Sequence, residues 1–326
     1  MKIGLDVMGG DFAPKATIGG AILAQKELSG EDIISLVGDK ELILKTIDEL
    51  GGKPNNFDII HADDIIEMGD SPIKAFTNKP NSSISTGFRK LKKGEIDSFA
   101  SAGNTGAMLV GSIYSINPIP GIIRPATTSV LPKEDGSSGV LIDVGTNPDT
   151  KPDVLYQFGI LGSIYAENVY NIKNPRVGLL NIGSEEEKGS LLCQSAYRLM
   201  KGTNDFNFIG NVEGRDLFKS DKVDVIVCDG YTGNIVLKQI EAMYRIMIKR
   251  GLTDDYFNRF NYENYGGTPI LGINSTVLIG HGISNDVAIK NMILLSKEVH
   301  TAGIDKKITT ALHKFSESVN NNDDAK

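Results

Sequence analysis

The sequence predicts an α/β fold built on a mostly parallel sheet flanked by helices. Short apolar runs of the β type alternate with amphipathic runs of ten or more residues, which are long enough to form crossover helices between parallel strands. Five of the apolar runs break off into turns rich in Gly, Asn and Asp, each followed by a helix-like segment. At 326 residues the chain exceeds the usual size of one domain. We therefore expect a single α/β unit with two lobes.

The predicted elements follow that alternating order along the chain. The strands are predicted at Lys2–Val7, Ile33–Val37, Phe57–His61, Ser98–Ser101, Ser129–Leu131, Val140–Val144, Val177–Ile182, Asn207–Gly210, Val223–Cys228 and Ser275–Ile279. The helices are predicted at Ala16–Leu28, Lys40–Leu50, Ser83–Lys93, Thr105–Ser115, Val154–Glu167, Ser190–Met200, Asn234–Lys249, Asn285–Val299 and Lys306–Ser316. Ser71 followed by Pro72 also indicates an N-cap and a first helical residue.

The limits of the folded unit are also predicted from composition. Residues 1–315 are expected to form the two-lobed unit, because the tail Ser316–Lys326 has too few apolar residues to fold. The Pro-bearing stretches Asn117–Pro125 and Gly145–Pro152 are the candidate boundaries between the lobes.

The five polar turns predict a ligand site. They span Asp6–Asp11, Ser101–Gly106, Asp143–Asn147, Asn181–Gly189 and Asp229–Asn234. The carboxyl ends of parallel strands lie along one edge of a sheet, where Gly allows a close approach of the backbone and helix N-termini offer N–H groups to an anion. Such an edge suits phosphate, although turns between strands and helices are rich in Gly in many α/β proteins.

Composition excludes several other classes. The net charge of −7 argues against a general nucleic-acid binder, because affinity for the phosphate backbone requires Lys and Arg. Cys193 and Cys228 lack the spacing of a metal site, and Cys228 is expected to be a buried hydrophobe. The chain begins directly with a strand, so we expect no signal peptide and a cytoplasmic protein. No apolar stretch approaches the roughly 20 residues that span a bilayer.

Ten motifs resemble those of the bacterial phosphate acyltransferases, in the order and spacing of that family. They are Gly4–Pro14, Ser82–Ile84, Ala102–Ala107, Asp143–Asn147, Asn181–Gly183, Lys188–Gly189, Gly210–Gly214, Asp229–Val236, Tyr265–Gly267 and Ala288–Asn291. The resemblance implies transfer of a long-chain fatty acyl group from acyl carrier protein to inorganic phosphate, giving acyl phosphate for phospholipid synthesis. It also implies a homodimer and a fold similar to those of phosphotransacetylases and isocitrate dehydrogenase-like enzymes.

This chemistry needs positioning and charge rather than a protein nucleophile. A phosphate must be fixed, the carbonyl polarised and the departing thiolate stabilised. Lys188 is the predicted catalytic residue that holds phosphate, and Asn234 is the predicted donor to the oxyanion. Taken without the resemblance, Lys188 would be a solvated partner of Glu185–Glu187, and Asn234 a cap at a turn.

The remaining predicted site residues are assigned to phosphate or substrate binding. They are Gly9, Gly10, Asp11, Asn104, Thr105, Gly106, Asp143, Asn147, Asp229, Thr232, Gly233 and His281. The carboxylates of this set, together with Asp6, would repel phosphate directly and are expected to orient neighbouring groups instead. His281 is the candidate proton donor to the leaving group.

The predicted partners are acyl carrier protein, inorganic phosphate and a second copy of the chain. Because the carrier is acidic, docking requires a local basic patch, for which Arg89–Lys93 and the set Arg245, Lys249 and Arg250 are the candidates. Two departures from the family concern this docking: Phe76–Asn81 lacks a strongly basic run, and the segment between Val236 and Tyr265 is shorter than in relatives. The apolar stripe of the helix Asn234–Lys249 is expected to be core or dimer interface.

The functional alternative for that stripe lies at its far end. Continuing through Leu252, Tyr256, Phe257 and Phe260, it would form a tip that meets the acyl chain or the inner face of the cell membrane.

Three alternative functions stay open at this point. Hydride transfer on a related fold is disfavoured because no G-x-G-x-x-G with a following acidic residue and no Asp cluster of metal-ligand spacing is present, so we predict no cofactor and no metal. A phosphotransacetylase-like enzyme would take acyl-CoA instead of the carrier protein. A scaffold that binds the carrier protein without catalysis is the third alternative.

Overall fold

The computed structural model describes residues Met1–Leu312, which form two compact units. Unit 1 contains Met1–Asn117 and Tyr262–Thr301, and unit 2 contains Pro118–Asn261 and, of the described residues that follow Thr301, residues 302–312. The first division falls at the start of the Pro-bearing stretch after Asn117. The tail predicted to be unfolded, Ser316–Lys326, lies outside the described residues.

Strands and helices alternate along the chain. In order they are β1 (Lys2–Asp6), α1 (Lys15–Glu27), β2 (Ile33–Gly38), α2 (Lys40–Glu49), β3 (Phe57–His61), α3 (Pro72–Asn78), α4 (Ser83–Lys92), β4 (Ser98–Ser101), α5 (Thr105–Gly111), β5 (Ala126–Pro132), β6 (Ser138–Ile142), α6 (Pro152–Val169), β7 (Arg176–Leu180), α7 (Leu191–Met200), β8 (Asn207–Val212), β9 (Val225–Val227), α8 (Gly230–Lys249), α9 (Asp255–Asn258), β10 (Thr268–Leu271), β11 (Thr276–Ile279) and α10 (Asp286–Thr301). Residues 304–312 are also helical.

Unit 1 has a sheet with helices on both faces. Its strand order is β3-β2-β1-β4-β11-β10, and only β10 runs antiparallel to its neighbour. Strands β1, β2 and β4 are buried on both faces, as expected for parallel strands covered on both sides. Gly20 of α1 allows close packing on α10, because a Cβ there would stand 2.5 Å from Ile289 Cβ. The carboxyl ends of β1, β4 and β11 share one edge of this sheet.

Unit 2 has its own sheet, in the order β5-β6-β9-β7-β8, with β5 antiparallel and the rest parallel. Helix α6 covers one face: a Cβ on Gly162 would stand 2.5 Å from Val225 on β9. Helix α8 covers the other face, where Val236, Leu237 and Ile240 pack on the buried apolar cluster. The carboxyl ends of β6, β9 and β7 therefore lie side by side.

The predicted α/β class and mostly parallel pairing are confirmed, and most predicted strands match to within two residues. Strand β10 was missed, because Gly266 and Gly267 precede it and it contains Pro269, a combination typical of turns.

The predicted turn Asp229–Asn234 is wrong: α8 begins at Gly230, and Asp229 is its N-cap. The predicted helix Thr105–Ser115 leaves the α form after Gly111 and continues as a π-helix. Ser71 precedes α3 but makes no side-chain cap.

Candidate active site

Asp143 organises the polar loop that follows β6. The residue is fully buried, and its carboxylate accepts hydrogen bonds from the backbone N–H of Thr127 (3.1 Å), Thr146 (3.2 Å) and Asn147 (2.6 Å). The Thr127 hydroxyl and the Asn147 amide also donate to it, over 3.0 and 2.9 Å. With five donors directed at it, this carboxylate holds the loop in one conformation and has no capacity left for a ligand.

Helix α8 starts in direct contact with that loop. Asp229 caps it by accepting bonds from the Thr232 N–H (2.8 Å) and hydroxyl (2.7 Å). The Gly230 N–H donates to the Asn147 carbonyl over 2.8 Å. A Cβ on Gly233 would lie only 1.9 Å from the Asp143 carbonyl oxygen, so the helix reaches this position only because residue 233 is glycine.

Asn234 lies in the second turn of α8 and is exposed. Its Oδ1 and Cβ stand 3.6 and 3.7 Å from where a Cβ on Gly145 would be. Gly145 carries no side chain and has a φ of 138°, so the Asn234 amide borders open backbone of the Asp143 loop. Within unit 2 the structure thus brings together the predicted residues Asp143, Asn147, Gly233 and Asn234.

The loop 181–189 after β7 is held by three side chains from separate elements. The Asn181 amide donates to the Lys188 carbonyl (3.0 Å) and to Asn211 Oδ1 (3.1 Å), and its Oδ1 accepts from the Ile182 N–H (2.8 Å). Asn211, on β8, donates to the Glu185 carbonyl over 2.8 Å, and Gln194, on α7, donates to the Glu187 carbonyl over 2.8 Å.

Asn211 and Gln194 were given no role by sequence reasoning. The signal for Asn211 was a polar residue inside a strand, because a buried amide there needs a partner.

Lys188 stands at the end of this loop with an exposed side chain. Among residues 1–312 its ammonium forms no ion pair and no hydrogen bond, whereas the neighbouring Glu186 pairs with Lys201 at 2.8 Å. The structure therefore shows no ion pair between Lys188 and Glu185–Glu187 within residues 1–312. The Lys188 carbonyl is thus held in place by Asn181, while the Lys188 ammonium keeps its three donors available for an anion.

A cavity of about 310 Å³ lies where two helices begin, and Gly189, the residue that follows Lys188, is part of its lining. Gly189, Ser190 and Cys193 line it from the start of α7, and Asp229 and Thr232 from the start of α8. Ser190 caps α7 by accepting the Cys193 N–H over 3.3 Å.

The end of β7 lines the same cavity with Leu179, Leu180 and the exposed Ile182. Cys228 also lines it and is buried, as predicted, and burial raises the pKa of its thiol.

Unit 1 carries the other predicted residues. Asp6 is fully buried, accepts the Ser101 hydroxyl over 2.6 Å and the Met8 N–H over 3.0 Å, and burial raises its pKa. The loop above it is close-packed: a Cβ on Gly9 would lie 2.5 Å from Asp6 Oδ2. Gly10 has a φ of 106°, which a side chain would disfavour.

The strand ends of unit 1 are linked through Asp11. Its N–H donates to the Gly282 carbonyl over 2.7 Å, which ties the β1 loop to the β11 loop. His281 lies in that second loop with its ring centroid 5.0 Å from the ring of Tyr262.

Asn104 caps α5 and donates to the carbonyls of Glu67, Met68 and Asp70, so its amide is used within the fold. Of its neighbours, Thr105 is exposed and Gly106 packs against Pro72.

Two further observations concern ligands and membranes. Within residues 1–312, no three His, Cys, Asp or Glu side chains gather as metal ligands would. No helix in the same range combines the length and the apolar character needed to cross a bilayer.

Comparison with known proteins places the chain in a family. The profile of the family described as "Fatty acid synthesis protein" matches residues 1–250. A phosphate acyltransferase of Dictyoglomus turgidum is 38% identical over 336 residues, covering 97% of this chain and 99% of the relative. One from Desulforudis audaxviator is 41% identical over 317 residues, covering 91% and 92%. The chain belongs to the phosphate acyltransferase family.

The family resemblance predicted from the motifs is thus confirmed, and the chain is an enzyme of the acyltransferase class. Its fold is similar to that of a phosphotransacetylase from Streptococcus pyogenes, with a TM-score of 0.64 at 17% identity over 92% of this chain and 94% of the other. At that identity the likeness concerns the fold alone.

Proposed function

We propose that this phosphate acyltransferase moves a long-chain fatty acyl group from acyl carrier protein to inorganic phosphate, giving acyl phosphate for phospholipid synthesis. Family membership supports the reaction class. The observation that carries the proposal is the Lys188 ammonium, unpaired within residues 1–312, on a fixed loop whose next residue, Gly189, lines a cavity at the start of α7. A phosphate there would meet a point charge and the N-terminal N–H groups of a helix.

The reaction needs no covalent enzyme intermediate. A phosphate oxygen attacks the thioester carbonyl carbon, forming a C–O bond while the carbonyl electrons move onto oxygen. The tetrahedral intermediate collapses, the C–S bond breaks, and the thiolate takes up a proton and leaves as the carrier thiol. Rate enhancement then comes from orientation and from donors aimed at the developing oxyanion.

The predicted residues of unit 2 other than Gly233, which allows α8 to pack on the Asp143 loop, receive roles in this scheme. Lys188 holds phosphate, and Asn234 donates its amide to the oxyanion. Asp143 and Asn147 position the loop under Asn234, and Asp229 with Thr232 positions the start of α8.

The residues of unit 1 are proposed as substrate-binding groups. Gly9, Gly10 and Asp11 present backbone, and Thr105 presents an exposed hydroxyl. His281 is the proposed proton donor to the leaving thiolate. A His281→Gln variant should lose turnover with the carrier-protein substrate more than with a thioester of an acidic thiol, which leaves without a proton. Equal losses with both substrates would contradict the assignment.

The carrier protein is proposed to dock on a basic patch. In Arg89–Lys93 the Arg89 guanidinium donates to the Pro80 carbonyl and to Thr86, and Lys90 pairs with Glu95. By contrast, Arg245, Lys249 and Arg250 are all exposed at the far end of α8, so we favour this set. Reversing its charges should raise the KM for acyl carrier protein and leave the KM for acyl-CoA unchanged. An unaltered KM for the carrier would reject the docking surface.

Homodimer formation and contact with the inner face of the cell membrane are part of the proposal. Their support is apolar exposure near the end of α8, where Ile246 is 50% and Leu252 56% exposed. The predicted tip residues Tyr256, Phe257 and Phe260 instead pack on one another, so Leu252 is the exposed member of that set. Sedimentation measures the dimer, and flotation with anionic liposomes of wild type against Ile246→Glu/Leu252→Glu measures membrane binding.

The decisive test is direct. The enzyme is incubated with phosphate and either palmitoyl-acyl carrier protein or palmitoyl-CoA, and acyl phosphate is trapped with hydroxylamine. Product from the carrier-protein substrate supports the proposal, and product from CoA alone supports a phosphotransacetylase-like enzyme. If neither substrate gives acyl phosphate, the remaining alternative is a scaffold that binds the carrier protein without catalysis.

A Lys188→Ala variant tests the site itself. Turnover should fall strongly while the melting temperature stays nearly unchanged, because the side chain is exposed and unpaired. Lys201→Ala is the matched control, since it removes an exposed lysine paired with Glu186 in the same loop. Near-wild-type turnover of Lys188→Ala would overturn the assignment.

A further inference from the structure

Unit 2 contains a second cavity, larger than the one lined by Gly189 and different in chemistry. Its volume is about 620 Å³, and its lining is aliphatic, aromatic or thioether apart from Gln239. Helix α8 contributes Val236, Ile240, Met243 and Met247 along one side. Phe218 and Phe260 also line it, with their ring centroids 5.4 Å apart.

The first residues of α8 that line the cavity lie close in sequence to the proposed oxyanion donor. Ile235 and Val236, which line it, directly follow Asn234 on the same helix. At 1.5 Å of rise per residue, Met243 lies about 14 Å and Met247 about 20 Å along the helix from Asn234. That distance is comparable to the length of an extended long-chain acyl group.

The lining also suits a flexible hydrocarbon. Two methionines provide adaptable, polarisable contacts, and no charged side chain lines the cavity. The Tyr256 hydroxyl donates to the Pro132 carbonyl over 3.5 Å, so the hydrogen bond of this polar group is made within the fold. An apolar cavity of this kind gains from every methylene that it removes from water.

We propose that this cavity holds the acyl chain of the substrate, with the carbonyl at Asn234 and the methyl end toward Met247. The proposal rests on the proposed acyl transfer and adds its specificity: the distance from Asn234 to the end of the cavity sets the preferred chain length. A side chain that fills the cavity at a given depth then excludes chains longer than that depth.

Two substitutions at different distances from Asn234 test whether the cavity sets the preferred chain length. Activity is measured with acyl carrier protein thioesters of eight, twelve and sixteen carbons. Met247→Trp should lower kcat/KM for the sixteen-carbon substrate and spare the other two. Met243→Trp, nearer Asn234, should lower the values for sixteen and twelve carbons and spare eight. Because each excluded methylene costs a factor of roughly 4, losses of at least about tenfold are expected.

The matched control is Ile248→Trp. Ile248 neighbours Met247 on the same helix and does not line the cavity, so its chain-length profile should stay that of the wild type. A binding readout independent of turnover is also available, since the protein has no tryptophan. Adding lauroyl-CoA, whose twelve-carbon chain the Met247→Trp variant should still accept, should shift the emission of that variant and leave that of Ile248→Trp unchanged.

The outcomes separate this inference from the proposed function. Formation of acyl phosphate with equal losses at all chain lengths, or with no change at any, would overturn the chain-length proposal and leave the acyl transfer intact. A change in oligomeric state or in liposome binding without a change in chain preference would assign the cavity to a second copy or to a membrane. Absence of acyl phosphate from the wild type with every substrate would remove both proposals.

Discussion

Lys133 gives unit 2 a pH-dependent stability that a single substitution should remove. It follows β5, is 1% exposed, and its ammonium donates to the Leu217 carbonyl over 2.7 Å. Burial lowers the pKa of this lysine from 10.5 to about 8, against the opposing effect of Asp224. At about 1.4 kcal/mol for each pH unit, that interval corresponds to on the order of 3 kcal/mol.

The free energy of unfolding depends on pH because the unfolded chain holds the Lys133 proton more tightly than the folded protein does. Between pH 8 and 10.5 the unfolded chain binds the Lys133 proton and the folded protein has released it, so the free energy of unfolding rises with pH across this window. Lys133→Met removes the dependence. At pH 7 the variant should gain on the order of 3 kcal/mol, less about 1 kcal/mol for the lost hydrogen bond to Leu217.

The assay is urea unfolding of both proteins at pH values from 7 to 11, with the difference between them taken at each pH. Taking the difference cancels groups that titrate equally in both proteins. Lys222→Met, which removes an exposed lysine of the same unit, should show no such dependence. A difference between wild type and Lys133→Met that is constant from pH 8 to 10.5 would refute the reasoning.

Three other substitutions examine the site in unit 2. Asn234→Ala should lower turnover by a factor of roughly 10² to 10³ with an unchanged melting temperature. A lower melting temperature with retained turnover would instead indicate that Asn234 only stabilises α8. Gly233→Ala should lower the free energy of unfolding by about 1 to 3 kcal/mol because its Cβ meets the Asp143 carbonyl oxygen at 1.9 Å. The control is Gly214→Ala, because a Cβ on Gly214 would have no atom within 4 Å. Equal stability of the two variants would contradict the close packing of Gly233 on the Asp143 carbonyl. Asn181→Ala removes three hydrogen bonds and should raise the KM for phosphate by at least about fivefold, the equivalent of one hydrogen bond of about 1 kcal/mol; an unaltered KM would show that the loop holds without it.

The parts of this structure that were predictable from sequence are those set by local periodicity. Strands such as Phe57–His61 and Ser98–Ser101 match their predicted bounds, because apolar runs ended by Gly, Asn or Asp leave few alternatives. Strand β10 was not predictable in this way. Its four residues include Pro269, and it is held by pairing with β11 rather than by its own pattern.

The site shows the same division between local and long-range signals. The position of Lys188 before a helix start was evident from Gly189 and Ser190. The contact of the Asn181 amide with Asn211 was not, since it joins residues 30 apart in sequence through side chains. Asn234 was assigned to a turn because Gly230 and Gly233 suggest one, whereas those glycines serve the close packing of α8 on the Asp143 loop.

The braced loop 181–189 has a kinetic consequence. Because Asn181, Asn211 and Gln194 already hold its backbone, an anion that arrives at Lys188 has little chain to order. Encounter is then governed by diffusion and by the field of an exposed cation, within a protein whose overall charge of −7 repels anions. Salt screens the distant repulsion more than the short-range attraction at Lys188. Capture of phosphate should therefore be fastest at moderate ionic strength rather than at the lowest.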